Sequence, residues 1–374
     1  MSKNFTRRTF FSTSTGAVLA GTATGAVLAG TATAQGGDLE APRHKTRIKV
    51  GQIGTGHGHA GGKMRALRAN PDFEVVGIVE SNPEYRRVAK KSEIYQGLQW
   101  MGQDELLATP GLQVVAVETD VPLLLDTAEA CVDAGLHIHL DKPAGSSLPH
   151  FSRILEKTKR KNLVVQMGYM YRYNPGVVLM RDLVKKGWLG EPFEMRCVMS
   201  KLTGPGRGRE KNAWYSGGTM FELGGHMIDT VVKVLGVPDR VTPFLQRLDP
   251  YGDGLGLADN TLAVFEYPKA LAEIKISLLE VEGGGRRHIT LCGTEGTLHI
   301  QPMNAPRGRL ALLKPHGKYK KGYQQVDFPP YPRYVDDIED LAALIREERE
   351  NRFTPEHDLM AQETLLRASG MPTD

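Results

Sequence analysis

The sequence predicts an α/β protein whose N-terminal half contains a doubly wound parallel sheet. Three observations support this fold class: a glycine-rich turn between an apolar strand and a helix, an acidic residue that ends the next strand, and strands that continue to alternate with helices. Parallel neighbours need a crossover, and a helix usually provides it. A length of 374 residues, with 40% hydrophobic and 24% charged residues, is enough for two globular domains.

The first 34 residues have the composition of an export signal. Thr6–Phe11 contains the pair Arg7-Arg8, an uncharged run follows as far as Gly37, and Ala32–Ala34 offers a small-residue cleavage site. Paired arginines before a weakly apolar run are typical of a twin-arginine signal. We therefore predict a signal at 1–34, a linker at 35–45, transport by the twin-arginine machinery and a periplasmic location. The alternative is a membrane anchor, but a spanning helix needs about 20 strongly apolar residues.

Charge and cysteine content exclude some classes of function. The signal segment has three basic residues, Lys3, Arg7 and Arg8, and no acid, so the net charge of +4 falls to about +1 without it. A nearly neutral body does not favour nucleic-acid binding. Cys131, Cys197 and Cys292 are odd in number and far apart, which predicts neither a disulfide framework nor a zinc site.

The glycine-rich turn has the context of a dinucleotide-binding site. It lies between a predicted strand at Arg47–Ile53 and a helix around Lys63–Ala69. Gly54 would permit the tight turn and Gly56 the close approach of a pyrophosphate, whose charge the helix N-terminus favours. The predicted cofactor contacts in this turn are Gly54, Thr55, Gly56, His57, Gly58 and His59. The third glycine of the usual fingerprint is replaced by His59, and we expect Gly58 to compensate in part.

Glu80 predicts which dinucleotide is bound. It ends the strand Phe73–Val79 and lies 24 residues after Gly56, close to the spacing of a carboxylate that binds ribose hydroxyls. A carboxylate there would repel a 2′-phosphate, so NAD is favoured over NADP, although NADP stays open. The alternative is a solvated acid at the end of a strand.

Lys142 is predicted to lie at the ligand-binding edge of the sheet. A strand at Leu112–Val117 and a helix near Leu124–Ala134 precede the strand Leu136–Leu140, which ends in Asp141-Lys142-Pro143. Ligands of such sheets bind at the carboxyl ends of the strands.

Four motifs in order resemble the glucose–fructose oxidoreductase / inositol dehydrogenase (Gfo/Idh/MocA) family. They are the glycine-rich strand–helix unit, Asp141-Lys142-Pro143 in place of Glu-Lys-Pro, the segment Gly168–Pro175, and the segment Gly217–Asp229. A minor fifth motif is Gly293–Leu298. The resemblance extends from about residue 46 to the C-terminus.

The resemblance implies a Rossmann domain at 46–166 and an α+β domain at 167–374 with a large, mostly antiparallel, open-faced sheet. Plausible strands are Glu194–Lys201, Thr261–Glu266, Ala272–Leu279, Arg287–Cys292 and Thr297–Ile300. The final helices, Tyr334–Glu350 and Glu356–Ala368, are expected to pack back on the first domain. The family also implies a cis bond before Pro143, and a homodimer or homotetramer in which another subunit covers the sheet.

The resemblance implies hydride transfer, which needs a proton acceptor and a group that stabilises the reacting oxygen. Lys142 suits the second role and is also predicted to contact the cofactor. The acid and histidine of the family's site map onto Glu222 and His226, so we predict His226 as general base and Glu222 as its orienting or substrate-binding partner. Asp229 shares their helix face at i+7 and is expected to anchor the helix or bind substrate.

Further residues are weaker predictions. Arg172 is a candidate for cofactor contact. The candidates for substrate contact are Tyr171, Asn174, Arg209, Trp214, Tyr215 and Asp229. The spacing of Glu222, His226 and Asp229 could also ligate a metal, but without a second cluster we predict no metal.

Three functions remain open at this point. The first is an exported NAD(P)-dependent oxidoreductase acting on a hydroxyl of a sugar, polyol or related compound, with tightly bound cofactor. The second is a redox-neutral NAD-dependent glycoside hydrolase or lyase acting through transient oxidation. The third is a non-enzymatic module that binds dinucleotide or sugar.

Overall fold

The computed structural model describes residues 46–374, and the predicted export signal and linker lie outside the described residues. The first domain has a five-stranded, entirely parallel sheet in the order β2-β1-β3-β4-β5 within this described range. Its strands are β1 (Ile48–Ile53), β2 (Phe73–Val79), β3 (Leu112–Val117), β4 (His137–Leu140) and β5 (Val165–Met167). The predicted parallel sheet is confirmed.

Helices cross between these strands and cover the sheet. They are α1 (Ala60–Ala69), α2 (Pro83–Ala89), α3 (Gln103–Leu107), α4 (Val121–Asp133) and α5 (Leu148–Lys161), with a 3₁₀ turn at Glu93–Tyr95. Val50, Val114 and Ile138 in the central strands are completely buried. These strands are apolar along most of their length because helices cover both faces of a parallel sheet.

The second domain contains an eight-stranded sheet, counted over residues 46–374, in the order β13-β12-β11-β10-β6-β9-β8-β7. The strands are β6 (Pro192–Val198), β7 (Arg240–Gln246), β8 (Asn260–Glu266), β9 (Leu271–Ser277), β10 (His288–Gly293), β11 (Gly296–Ile300), β12 (Arg307–Leu312) and β13 (Gly322–Asp327). Strands β6 and β9 pair in parallel, and the other pairs are antiparallel. The mostly antiparallel sheet is confirmed.

The sequence patterns did not predict β7, β12 and β13. Strands β7 and β13 form the two edges of the sheet and β12 lies next to β13, and the apolar residues of these three strands are sparse. Pro243 in β7 is compatible with an edge position, because an edge strand has backbone groups that need no ladder partner.

The second domain has six helices among the described residues, some of which contact the sheet while others contact the first domain. They are α6 (Pro175–Lys185), α7 (Arg207–Asn212), α8 (Gly218–Leu235), α9 (Gly283–Arg286), α10 (Val335–Ile345) and α11 (Pro355–Ala368), with a 3₁₀ turn at Met170–Tyr173. Helices α6 and α8 contact the sheet, while α10 contacts α1 and α11 contacts α5. The final helices therefore pack back on the first domain, as predicted.

Helix α10 is shorter than the predicted helix over 334–350. It ends at Ile345, and Glu347 takes a left-handed conformation with φ of 56°. In the part of the chain that the structure describes, no helix has the length and apolar character needed to cross a bilayer.

A buried ionic network joins three elements of the second domain. Arg172, from the 3₁₀ turn, donates from Nη2 to Asp229 of α8 at 2.6 Å and also contacts Asp358 of α11. His357 Nε2 lies 2.9 Å from the same Asp229 carboxylate. Burial raises the pKa of Asp358 to about 6 although the charge of Arg172 opposes that rise. A single guanidinium therefore satisfies two buried acids.

Replacing Arg172 should destabilise the fold strongly. Arg172→Met leaves Asp229 and Asp358 buried without their cation, which we expect to cost about 3–5 kcal/mol of unfolding free energy. Calorimetry should show a fall in Tm of several degrees. The matched control is Arg160→Met, since Arg160 is 65% exposed and forms only a surface pair with Glu156. Equal Tm values for both variants would contradict this role.

Candidate active site at the carboxyl end of the parallel sheet

The glycine-rich turn adopts the conformation that its sequence predicts. Gly54 has φ of +97°, and a Cβ atom there would lie 2.5 Å from the backbone carbonyl of Glu118. A Cβ atom on Gly56 would lie 2.1 Å from the ring of Tyr85. Helix α1 begins just after the turn, and the side chain of its N-cap residue, His59, makes no hydrogen bond to the backbone amides of the first turn. Free amide groups in a first turn suit a pyrophosphate.

A cavity of about 490 Å³ adjoins this turn at the carboxyl ends of β1 and β2. Gly54, Gly56 and Glu80 are among the residues that line it, together with Arg86 at its wall. Glu80 accepts hydrogen bonds from the backbone nitrogen and the hydroxyl of Thr55, both at 2.7 Å. The carboxylate therefore holds the turn and also faces the cavity, so the residues present fit a dinucleotide.

Contacts from the second domain close one side of the turn. Lys211 of α7 donates to the carbonyl oxygen of Gly56 at 2.8 Å and contacts the carboxylate of Asp120. Tyr85 packs against Gly56, and its hydroxyl donates to Asp120 at 2.7 Å. The sequence patterns did not predict the contact of Lys211 with the turn, because its partners are distant in sequence.

Lys142 lies where the prediction places it, just beyond β4. Its ammonium group donates to the backbone oxygen of Glu222 at 2.7 Å and to the Glu222 carboxylate at 3.0 Å. The bond before Pro143 is cis, as the family resemblance implies. Burial favours the neutral acid, but Lys142 and a hydrogen bond with His57 lower the pKa of Glu222 to about 2. Lys142 and Glu222 therefore form a charged pair between the two domains.

His226 is buried next to this pair, one helical turn after Glu222. Within residues 46–374 no group hydrogen-bonds to its buried Nδ1 atom. Its ring lies 5.5 Å from that of Tyr171 and 5.8 Å from that of His59, measured between centroids. Burial, reinforced by the charge of Lys142, holds the pKa of His226 well below its usual value. The imidazole is therefore neutral at pH 7, with an unused polar atom.

The contacts of Glu222 do not support its predicted role in orienting His226. Its carboxylate instead accepts from Lys142 and lies 3.8 Å from Nε2 of His57. Residues at i and i+4 share a helix face, which predicts that Glu222 and His226 lie close together. The orientation of the Glu222 carboxylate is instead determined by the charges of Lys142 and His57.

A cluster of charged and imidazole side chains surrounds Asp141. Lys63 Nζ lies 2.9 Å from Asp141 and 2.8 Å from Glu118, and Nδ1 of His59 lies 3.1 Å from Asp141. His57 contacts the other Asp141 oxygen. Burial opposes protonation of His57, but Asp141 raises its pKa to about 9, whereas burial lowers the pKa of His59 to about 4. The sequence patterns included Asp141 only as part of the Asp141-Lys142-Pro143 motif and missed Lys63 and Glu118. The signal available was the pattern His57-Gly58-His59.

A smaller cavity of about 290 Å³ lies between the turn and the second domain. His57, Lys201, Trp214 and Glu222 are among its lining residues. The predicted substrate contact Trp214 therefore faces the cleft, and Lys201 is a candidate that the sequence patterns missed. Trp214 is 45% exposed, so its ring is available to a ligand.

Arg172 and Asp229 do not face this cleft, which corrects their predicted contacts with cofactor and substrate. Both are at most 2% exposed and pair with each other inside the second domain. Burial would raise the pKa of Asp229, but Arg172 holds it well below its usual value. Asp229 anchors helix α8, which is one of its two predicted roles.

Other predicted substrate contacts also have structural partners. Asn174 is completely buried, caps α6 through the backbone nitrogen of Gly176 at 2.9 Å, and donates to Met303. Arg209 is completely buried and pairs with Asp253 at 2.5 Å. The burial and the protein partners of both residues do not support their predicted contact with a substrate.

The two tyrosines lie near the site but are engaged. Tyr171 is buried, and its hydroxyl donates to Asn304 at 3.0 Å while its ring faces His226. The ring of Tyr215 packs 4.7 Å from that of Phe221, measured between centroids. Their contacts support the walls of the site rather than direct contact with a ligand.

Comparisons with known proteins agree with this geometry. The family model described as "Oxidoreductase family, NAD-binding Rossmann fold" matches residues 48–169, and the GFO/IDH/MocA C-terminal domain matches 177–299. A dTDP-3,4-didehydro-2,6-dideoxy-alpha-D-glucose 3-reductase from Streptomyces violaceoruber is 24% identical, over 67% of this chain and 72% of that protein. The NADP(+) scyllo-inositol 2-dehydrogenase from Bacillus subtilis is 23% identical, over 54% of this chain and 56% of that protein.

Solved structures share the fold. GenD2 from gentamicin A biosynthesis, in complex with NAD, has a TM-score of 0.70 and 20% identity, and the match covers 87% of this chain and 95% of that one. KijD10, a 3-ketoreductase from Actinomadura kijaniata in complex with NADP and TDP-benzene, has a TM-score of 0.69 and 18% identity, with 85% and 95% covered. With family models matching both domains, the chain belongs to the Gfo/Idh/MocA family of oxidoreductases and carries its NAD-binding Rossmann domain.

Proposed function

We propose that the protein is an exported oxidoreductase that moves hydride between a tightly bound nicotinamide dinucleotide and a hydroxyl of a sugar, polyol or related compound. One observation carries the proposal. The ammonium group of Lys142 lies between the glycine-rich turn and helix α8, held by Glu222 at 2.7 and 3.0 Å. The names of two relatives, an inositol dehydrogenase and a reductase of a dTDP-sugar, support a hydroxylated ring as substrate.

During the reaction the protein must accept one proton and stabilise one developing negative charge. The nicotinamide, when bound, accepts or donates the hydride. Lys142 stabilises negative charge on the substrate oxygen, since a fixed cation in a buried site interacts strongly with an oxyanion. Neutral His226 has a lone pair that accepts the hydroxyl proton, and Lys142 assists by making the hydroxyl more acidic. Glu222 fixes the position of Lys142.

The smaller cavity suits a hydroxylated ring. The exposed face of Trp214 offers a surface for the C–H face of a sugar, and Lys201 lies in the same wall for hydrogen bonds to hydroxyls. A redox-neutral glycoside hydrolase or lyase would use the same Lys142 and His226, and it is the second candidate. A binding module without activity is disfavoured because both groups are present. The homodimer or homotetramer stays a prediction.

Substitution of Lys142 should remove turnover and spare cofactor binding. Lys142→Met keeps the length of the side chain but removes its charge, so we expect a loss of about 100- to 1000-fold in kcat. The assay follows hydride transfer with a panel of inositols, hexoses and glycosides, and NAD affinity by titration. Lys159→Met, at a 73% exposed site, is the control. Full activity of Lys142→Met would refute the proposed site.

The bound cofactor can be identified directly in the purified protein. We expect about one NAD per chain after denaturation and mass analysis, because Glu80 disfavours a 2′-phosphate. Glu80→Gln should raise the affinity for NADP relative to NAD by about tenfold, which corresponds to about 1.4 kcal/mol of relieved repulsion. Asp126→Asn removes an exposed charge at the rim of the same cavity and should have a smaller effect. NADP in the wild-type protein would indicate that Arg86 outweighs Glu80.

The export proposal rests on Arg7-Arg8 and the weakly apolar run that follows. Twin-arginine substrates cross the membrane folded, which would let the protein leave with its cofactor bound. Replacing both arginines with lysine should retain the protein in the cytoplasm of a bacterial host, whereas Lys3→Arg should not. Fractionation and immunoblotting measure the difference. Equal periplasmic fractions for the two variants would contradict the twin-arginine route.

A further inference from the structure

We propose that His57, His59 and Asp141 form a site for a divalent cation, most suited to Zn²⁺, between the glycine-rich turn and the end of β4. This site goes beyond the proposed hydride transfer. It also differs from the set Glu222, His226 and Asp229 that helix spacing alone would suggest.

The three side chains converge on one point. Each offers a ligand atom, and these atoms all lie within 4.8 Å of one another. Nδ1 of His59 lies 3.1 Å from one Asp141 oxygen, and Nδ1 of His57 contacts the other oxygen. The two imidazole centroids are 4.8 Å apart. Both rings therefore leave the turn on the same side, towards a single carboxylate.

This donor set matches a known class of metal site. Catalytic zinc sites commonly use three protein ligands, including two histidines and one carboxylate, and keep a position open. The same two-histidine, one-carboxylate set binds other divalent metals with open positions. The imidazoles are partly accessible, with His57 9% and His59 17% exposed, while Asp141 is 1% exposed. An ion could thus enter from the cleft and meet a carboxylate that is shielded from bulk water.

Surrounding groups fix the carboxylate as an outer shell does in metal sites. Lys63 donates to Asp141 at 2.9 Å, and Glu118 pairs with Lys63 at 2.8 Å. Such partners orient ligating carboxylates. Glu118 offsets the positive charge of Lys63, so Lys63 does not exclude a metal cation from the site.

A second cluster of possible metal ligands has different surroundings. Asp229, His357 and Asp358 also bring their ligand atoms within 4.8 Å of one another. There the guanidinium of Arg172 already lies between both acids. Two carboxylates share one guanidinium in that cluster, whereas Asp141 pairs with the ammonium of Lys63 through one oxygen and contacts His57 through the other.

The proposed ion accounts for the unusual third position of the glycine fingerprint. A glycine there could not ligate, and His59 can. The ion would lie on the side of the cleft where Lys142 pairs with Glu222, and His57 Nε2 is 3.8 Å from that carboxylate. Added positive charge at this place would make a bound hydroxyl more acidic.

The test measures metal content in the full chain purified without a histidine tag or chelator. After equilibration with ZnCl₂ and dialysis, mass spectrometry should find about one Zn²⁺ per chain, and Co²⁺ should give a visible d–d absorption. His57→Gln and His59→Gln should each lower the Zn²⁺ affinity at least about tenfold. His150→Gln, which changes a histidine paired with surface Glu129, should keep the metal.

Circular dichroism and NAD content of each variant separate loss of metal from loss of fold. Less than about a tenth of a Zn²⁺ per folded wild-type chain would overturn the site, as would unchanged binding by His57→Gln and His59→Gln. Because NAD content is measured on the same samples, a protein with NAD and no metal would overturn this inference and leave the proposed oxidoreductase intact.

Discussion

The contact between Lys142 and Glu222 is the interaction on which the arrangement of the site depends. Lys142 follows β4 of the parallel sheet, and Glu222 belongs to α8 of the second domain, so one charged pair joins the edge of the cofactor domain to the wall of the substrate domain. A buried ammonium group needs such a partner, because desolvation without compensation would cost several kcal/mol. The chemistry and the docking of the domains thus share the same side chains.

Helix α8 is held on both sides by ionic contacts. On the cleft side Glu222 meets Lys142 and His57, and on the far side Asp229 meets Arg172. His226 lies between these contacts, and among the described residues no group hydrogen-bonds to its Nδ1 atom. Rigid neighbours on both sides keep a neutral imidazole in place, and this is the pre-organisation that proton transfer requires.

The sequence predicted backbone-determined features well and polar side chains less well. The turn at Gly54 and Gly56 was predictable because local sterics allow few residues there, and Lys142 because sheet topology fixes where strand ends point. The contacts of Arg172 and Asn174 do not support the roles predicted for them, since a polar residue in such a motif can equally satisfy buried groups. Their partners, Asp358 and Met303, lie more than 100 residues away, and no local pattern reveals them.

The contact of Lys211 with the turn should also affect the rate at which the cofactor is released. Lys211 belongs to the second domain, yet it binds the carbonyl of Gly56 and the side chain of Asp120 beside the turn. A dinucleotide that leaves the turn past this wall must first break those bonds, so the residence time of the cofactor depends on a helix outside the cofactor domain. Exchange of the dinucleotide would then be slow even where its affinity is ordinary.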